Sequence, residues 1–342
     1  MSINNINYYN SAISNFIVHR VKNGQLLLSD KETEIVNEED KDVLIEYSFS
    51  SFKFDIKFKF NNYSSGIFQT VKDFFNNSSD FVEFSHTISE LMFESSNDAK
   101  ANDGDIIIIN FKNVIISGEN EVDCLGIFKA ENLDYFLKLR FDGNNVYELL
   151  SERGINMAKI DRGCLIFNTE SENGYVISVI DNRNKSKSFW YDDFLQVSQI
   201  TDQYFHTQEA LMVYKDYITK QLPQEFEVSK ADQADFLNKS INFFKEKEEF
   251  KLDEFASEVL GDEHVIESFV NFKTDYEQDM QVNIAEEFPI SEAAVKKTQR
   301  HFKSIIKLDK NFHIYIHGDR QKIEMGEDDK GKYYRLYFEK EV

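Results

Sequence analysis

Six basic residues near the C-terminal end of the chain have types and a spacing that suit phosphate binding. They are Lys296, Lys297, Arg300, Lys303, Lys307 and Lys310, and we call them the basic segment. On a helix running from Ser291 to about Lys307, positions 296, 300, 303 and 307 form one stripe. Ammonium and guanidinium groups placed along such a line can follow the phosphates of a nucleic acid.

A plainer interpretation of the basic segment is a solvated helix face that pairs with acidic residues just before it. Residues 224–290 hold 18 acidic and 6 basic side chains, a net charge of -12, and we call them the acidic segment. The whole chain carries a formal charge of -22. Such a charge repels DNA at long range, but salt screens it within roughly 8–10 Å, so a local basic surface remains possible.

A second group of cations lies beside the only tryptophan of the chain. In "IDNRNKSKSFWYDDFL", residues 180–195, the cations Arg183, Lys185 and Lys187 precede Phe189 and Trp190. Cations next to aromatic rings can hold phosphates and stack nucleic-acid bases. Alternatively, the polar half is a turn, and the aromatic half returns to the core where one domain meets the next helix.

Metal binding and catalysis have little support in the sequence. "HIYIH" places His313, Tyr315 and His317 on one face of a strand, but no further zinc ligand follows at a suitable spacing. The familiar nucleotide, esterase and metalloprotease motifs are absent. We therefore expect no metal, no cofactor and no enzymatic activity. Acidic pairs such as Asp192 and Asp193 mean little in a chain with 61 acidic residues, so a divalent-metal nuclease is kept only as a third alternative, to which no motif points.

The first 196 residues are predicted to form an α+β domain with a mainly antiparallel sheet. Short apolar runs separated by Gly, Asn and Asp leave no room for crossover helices between strands. Helices are expected at 66–75 and 78–93 on one side of the sheet, and "FKFDIKFKF" at 52–60 alternates like a half-buried strand. Cys124 and Cys164 lie in apolar runs and are expected to be reduced thiols of a cytosolic protein. No secretory signal or membrane span is visible.

Residues 197–342 are predicted to form a mostly helical domain that ends in a small β-hairpin. The two prolines, Pro223 and Pro289, indicate element boundaries. Ser229 followed by Asp232 is an acidic variant of the capping box, and Gly261 suits a helix C-terminus. The strand pair is expected between "NFHIYIHG" and "KYYRLYFE".

Several long segments resemble one known family in content and in order. They are "FVEFSHTISELMF", "GDIIIINF", "GCLIFN", "VIDNRNKSKSFWYDDFLQV", "LPQEFEVSKADQADFLNKSINFF" and "KLDKNFHIYIHGD". Together they resemble the bacterial nucleoid-associated proteins called NdpA or YejK, from about residue 5 to the end. The resemblance implies a cytoplasmic protein of the nucleoid that contacts DNA or DNA-bound proteins. It supplies no catalytic residues.

One departure from the family affects the expected DNA contact. After "FL" at 194–195, other members often carry Lys, Arg and Gly, whereas this chain reads "FLQVSQITDQYF". The resemblance therefore implies weaker, indirect or relocated DNA binding. We expect non-catalytic binding of DNA with little sequence selectivity through the basic segment, with Arg183, Lys185 and Lys187 as secondary candidates. The alternative is a module whose acidic helices bind a DNA-acting protein, and a homodimer remains open.

Overall fold

The computed structural model describes residues 6–96, 103–116, 120–141, 143, 147–183, 189–280, 282–302, 305–308, 310–316 and 320–340. The chain divides into an N-terminal unit, Met1–Ile200, and a C-terminal unit, Thr201–Val342. This division lies close to the domain boundary predicted after residue 196.

Strands dominate the N-terminal unit. Its strands are β1 (Ile6–Asn7), β2 (Ala12–Lys22), β3 (Gln25–Leu27), β4 (Phe58–Phe60), β5 (Gly104–Ile116), β6 (Asn120–Ala130), β7 (Asp134–Phe141), β8 (Tyr147–Gly154), β9 (Arg162–Phe167), β10 (Val176–Asp181) and β11 (Val197–Gln199). Its helices are α1 (Glu38–Ser50), α2 (Gly66–Phe75) and α3 (Phe81–Ser95), with a 3-10 turn at Ser171–Asn173 and a π-helix at Trp190–Leu195.

Nine of the described strands form one sheet in the order β11-β4-β10-β9-β6-β5-β2-β3, with β1 also beside β5. Every pairing described in it is antiparallel. For β2–β3, β5–β6 and β9–β10 the short connections allow nothing else, because a parallel pair needs a crossover of a dozen or more residues. The predicted α+β fold class, including its antiparallel sheet with flanking helices, is confirmed.

The sheet is buried on both faces, so the prediction of helices on one side is wrong. Along β5, Ile106 and Ile108 join the core beneath α2 and α3, while Ile107 and Ile109 join the opposite core, which includes Tyr47 of α1. Successive side chains of a strand point to opposite faces. A continuous apolar run therefore requires cover on both sides, and this run provides the signal that the one-sided prediction overlooked.

The predicted strand at 52–60 is shorter than its alternation indicates. Only Phe58–Phe60 is a strand, β4. Before it, Phe52 packs near Phe128, in the core beside α1. Phe60 packs near Phe68 of α2, on the other side of the sheet. The alternating phenylalanines thus supply both cores while the chain passes from one to the other, which a single strand with one wet face could not do.

The two cysteines are buried free thiols on opposite faces of the sheet. Cys124 on β6 pairs across from Phe167, whereas Cys164 on β9 pairs across from Ile127. Burial raises the pKa of both thiols. The prediction of reduced core cysteines is confirmed.

A buried histidine links β2 to α3. The imidazole of His19 accepts a hydrogen bond at Nδ1 from the Ser29 backbone N–H (3.0 Å), and its Nε2 lies 3.0 Å from the Ser85 hydroxyl. The ring of His86 lies 5.4 Å away and contacts the Ser29 carbonyl through Nε2 (2.9 Å). Burial and, secondarily, His86 lower the pKa of His19 to about 4. A proton on Nδ1 would face the Ser29 N–H, so the folded protein holds this ring neutral.

We expect the stability of the N-terminal unit to fall as the pH drops from 6.5 towards 4. In this window the unfolded chain binds a proton at His19 and the folded chain does not, so lower pH favours unfolding. The full shift of the His19 pKa corresponds to a loss of about 3 kcal/mol in the free energy of unfolding. Urea unfolding at several pH values should show a flatter pH profile for His19→Gln than for the wild type.

The control for this measurement is His264→Gln, which replaces an exposed histidine of the C-terminal unit. Its pH profile should match that of the wild type. An unchanged slope in His19→Gln would show that the buried ring is not the group responsible.

Helices dominate the C-terminal unit. They are α4 (Gln203–Asp216), α5 (Leu222–Glu225), α6 (Lys230–Glu246), α7 (Leu252–Phe255), α8 (Glu263–Met280) and α9 (Glu292–Thr298), with π-helices at Tyr217–Gln221 and Ala256–Leu260 and 3-10 turns at Gln299–His301 and Arg320–Lys322. The short strands are β12 (Glu249–Lys251), β13 (Glu287–Pro289), β14 (Ile305–Leu308), β15 (Phe312–Tyr315), β16 (Ile323–Asp328) and β17 (Gly331–Leu336).

Local capping signals in this unit are confirmed. Ser229 and Asp232 form a reciprocal capping box at the start of α6. Gly261 follows the π-helix at Ala256–Leu260 with φ 75°. Pro223 lies inside the first turn of α5 directly after a π-helix, so the chain stays helical through it. Proline has no backbone N–H to donate. In the first turn of a helix the backbone N–H groups have no acceptor within that helix, so proline is tolerated there.

The predicted pairing of the C-terminal strands is wrong in its partners. β15 pairs with β14, and β17 pairs with β16, which forms the small terminal hairpin. Each strand therefore pairs with the segment that directly precedes it in the chain, through a tight connection. The presence of a terminal hairpin is confirmed.

Candidate nucleic-acid interface

The structure distributes the basic segment over several elements, so the single helix predicted from Ser291 to about Lys307 is wrong. Helix α9 ends at Thr298, and one 3-10 turn follows it. The β-branched residues Ile305 and Ile306 then form β14, in agreement with their preference for extended backbone. Ile306 is buried with Ala231 and Ala234 of α6. The i, i+4, i+7, i+11 stripe therefore does not exist.

The structure gives the positions of five of the six residues of the basic segment. Lys296 and Lys297 lie in the last turn of α9, Arg300 lies in the 3-10 turn, Lys307 lies on β14, and Lys310 lies between β14 and β15. Lys303 lies outside the described residues. Both α9 and β14 pack against α6.

Helix α9 is oriented by its buried face. The Ser291 hydroxyl accepts a hydrogen bond from the Ala294 N–H, and the Ser291 N–H donates to the Thr207 hydroxyl on α4 (3.0 Å). Ala294 and Val295 are buried, which leaves Lys296 exposed on the other side. Lys297 is half-buried, with its ammonium group 5.7 Å from the centre of the Tyr204 ring.

Most of these cations remain accessible to solvent. The ammonium of Lys296 lies 3.6 Å from the Glu292 carboxylate, and both side chains are largely exposed, so this pair is weak. Arg300, Lys307 and Lys310 are exposed. Across the described ranges, no ion pair joins these four cations to the acidic segment. The interpretation of the basic segment as the pairing partner of that segment is therefore not supported for these four.

The outer face of the β14–β15 hairpin combines a cation with aromatic rings. Lys307 lies directly across from His313, and Tyr315 lies across from Ile305 on the same face. Tyr315 is 62% exposed. This is the combination of cation and accessible ring that the sequence suggested for residues 180–195. The alternation in "HIYIH" placed His313 and Tyr315 together, but the pairing with Lys307 depends on the hairpin.

Arg183 belongs to an ionic network rather than to an open cationic surface. Its guanidinium lies 2.9 Å from the Glu131 carboxylate, which also pairs with Arg162 and with Lys129 (3.6 Å). The guanidinium of Arg162 lies 4.8 Å from the centre of the Phe189 ring. Burial lowers the pKa of Lys129, although Glu131 opposes the shift. The two other candidates of this stretch, Lys185 and Lys187, lie outside the described residues.

Trp190 is a core residue, so it cannot stack on a base. The π-helix at Trp190–Leu195 buries Trp190, Phe194 and Leu195 in the core beneath α2 and α3. The indole N–H donates to the Gly163 carbonyl at 3.4 Å. Of the two interpretations of this stretch, the structure agrees with the return of its aromatic residues to the core.

We expect the fluorescence of Trp190 to report a buried indole. As the only tryptophan, it should emit at short wavelength, resist quenching by iodide and remain unchanged when DNA is added. Trp190→Ala should lower the free energy of unfolding by about 3–5 kcal/mol, because it opens a large cavity. Urea-unfolded protein is the control for full quenching. Strong quenching in the folded state would contradict the buried position.

No metal centre emerges from the part of the chain that the structure describes. Among those residues, no group of three or more His, Cys, Asp and Glu side chains could hold an ion. His313 lies exposed on β15, and His317 is outside the described residues. None of the described helices is long and apolar enough to cross a membrane.

Comparison with known proteins gives one broad match. A search of curated proteins found no match to the chain. A family profile described as nucleoid-associated protein YejK matches residues 17–330, which is nearly the whole chain. The match includes most of the sheet of the N-terminal unit, the helices of the C-terminal unit and all the described basic candidates. The chain therefore belongs to the family of the nucleoid-associated protein YejK.

Proposed function

We propose that the protein binds DNA without catalysis and with little sequence selectivity, through Lys296, Arg300, Lys307 and Lys310. Family membership supports an association with the nucleoid. The observation that carries the proposal is the exposure of these four cations, which have no pairing partner in the acidic segment within the described residues. Accessible cations bind phosphates and release counterions, whatever the base sequence.

The net charge of -22 sets the conditions of this binding. The protein and DNA repel each other at long range, and the attraction of the four cations acts only within about 8–10 Å at physiological salt. Affinity should therefore be modest and should fall steeply with added salt. The exposed ring of Tyr315 beside Lys307 adds a surface on which an unpaired base can stack, so single-stranded DNA is a suitable second ligand.

The double substitution Arg300→Glu with Lys307→Glu should weaken DNA binding at least tenfold and flatten its salt dependence. Each lost phosphate contact lowers the slope of log K against log salt by about 0.9. Anisotropy titrations with labelled duplex and single-stranded DNA at several salt concentrations measure both quantities.

The matched control is Lys245→Glu with Lys330→Glu. These lysines are exposed in the same unit, on α6 and in the turn of the terminal hairpin, so the net charge changes equally. Similar losses in both double variants would mean that net charge alone governs binding. An unchanged slope in the first variant would remove these residues from the interface.

A second candidate function is the capture of a basic, DNA-acting protein by the acidic segment. The observation in its favour is α8, which exposes Glu263, Glu267, Asp275 and Asp279. An acidic face steers association with cationic partners. We expect a partner bound in this way to be retained from nuclease-treated lysate by the wild type and lost from Glu267→Lys with Asp275→Lys. If the wild type retains no protein once nucleic acid is removed, DNA is the direct ligand.

A further inference from the structure

Strands β7 and β8 form an arm that is separate from the main sheet. The arm is inserted between β6 and β9, which are neighbours in that sheet. Among the strands described, β7 and β8 pair only with each other. A two-stranded ribbon is at best marginally stable in water unless something covers its apolar face.

The register of the arm gives it one charged face and one apolar face. On the charged face, Lys138 pairs with Glu152 (3.4 Å), and Arg140 pairs with Glu148. The opposite face carries six large apolar side chains: Tyr135, Leu137, Leu139, Phe141, Tyr147 and Leu149. The cation on that face is Arg153 at its base, whose guanidinium lies 5.4 Å from the centre of the Tyr135 ring.

The six side chains of the apolar face are uncovered, with exposed fractions between 50% and 74%. Single exposed apolar residues are ordinary, but a continuous patch of this kind marks an interaction surface. The ion pairs on the other face are already satisfied within the arm. That face also carries Phe136, which is 43% exposed, but no continuous apolar patch, so only the apolar face needs a partner.

We propose that the apolar face of the arm packs against the same face of a second copy of the chain. At roughly 100 Å² of exposed surface for each large side chain, the six would bury about 600 Å² per copy. A symmetric pair would then bury about 1,200 Å², which reaches the lower limit for a specific interface. An interface of this size needs no further surface from either copy.

The arrangement of charge favours a second copy over a charged partner. The centre of the apolar face, around Leu139 and Leu149, has no charged side chain to be left unpaired on burial. In an antiparallel pair with twofold symmetry, Arg153 of each copy reaches the tip of the partner arm near Phe141 and Tyr147. The two arginines then lie far apart, and each faces aromatic rings. The inference does not rest on the proposed DNA binding.

Two adjacent leucines provide a matched test. Leu149 lies on the apolar face across from Leu139, and Leu150 lies on the charged face across from Lys138. In sedimentation experiments on the full chain without DNA, the wild type should be dimeric at micromolar concentration. Leu149→Glu should raise the dimer Kd on the order of a hundredfold or more, because it buries a carboxylate in an apolar contact. Leu150→Glu should change it by no more than about threefold, since the new carboxylate lies beside Lys138.

Amide hydrogen exchange of residues 134–154 keeps the test independent of folding defects in a variant. In the wild type, exchange in the arm should slow as protein concentration rises, because dimer formation covers the ribbon. In Leu149→Glu it should stay fast at every concentration. The proposal would be overturned by a wild type that remains monomeric up to about 100 μM, or by a Leu149→Glu variant that dimerises as tightly as the wild type. Amide exchange rates in the arm that do not change with protein concentration would also overturn it.

Discussion

Burial of β5 on both faces is the constraint on which the N-terminal unit depends. Its four consecutive isoleucines, Ile106 to Ile109, supply two cores on opposite sides of one sheet. Each core needs its own cover, because apolar surface left in water costs about 25 cal/mol per Å². Helices α2 and α3 and the π-helix with Trp190 cover one face, and α1 covers the other. The aromatic cluster that follows Arg183 thus serves the core.

The same burial explains why several polar groups in this region are paired with one another. His19, which is buried on β2 beneath α3, is held neutral mainly by its burial, and its two ring nitrogens lie within hydrogen-bond distance of Ser29 and Ser85. Lys129 and Arg162, at the ends of the neighbouring strands β6 and β9, pair with Glu131, and Arg162 also pairs with Asp181. Removing one partner from such a group leaves an unpaired charge in a poorly solvated place, which is strongly destabilising. These charges belong to the fold and are not available for a ligand.

In each unit, the surface proposed to contact another molecule lies on short elements outside the main core. The cations of the basic segment extend from the short helix α9 into the β14–β15 hairpin, and both are anchored on α6. The apolar arm is an insertion between two paired strands of the sheet. Short hairpins have few side chains of their own to bury, so their exposed faces remain open for binding. In an acidic protein, such local surfaces can differ in character from the average of the chain.

Local patterns in the sequence were sufficient for several elements of this protein. The capping box at Ser229 and Asp232, the C-terminal glycine Gly261 and the antiparallel pairs β5–β6 and β9–β10 follow from short-range sterics and short connections, so they could be predicted. The content and order of several long segments also indicated the family. The positions of the basic residues could not be predicted in this way. Helix α9 ends at Thr298, and Ile305–Leu308 form a strand instead of continuing the helix, because they pair with β15.

The sequence by itself thus determined the charge of this protein, which is a strongly acidic chain with a cluster of cations near its C-terminal end. Only the tertiary structure decided which of these groups are accessible. Trp190 is buried although it follows three cations in the sequence, whereas Tyr315 is exposed and comes close to Lys307 only through the register of the β14–β15 hairpin. The physical reason is that exposure depends on which distant segments cover a residue, and those contacts join positions far apart along the chain.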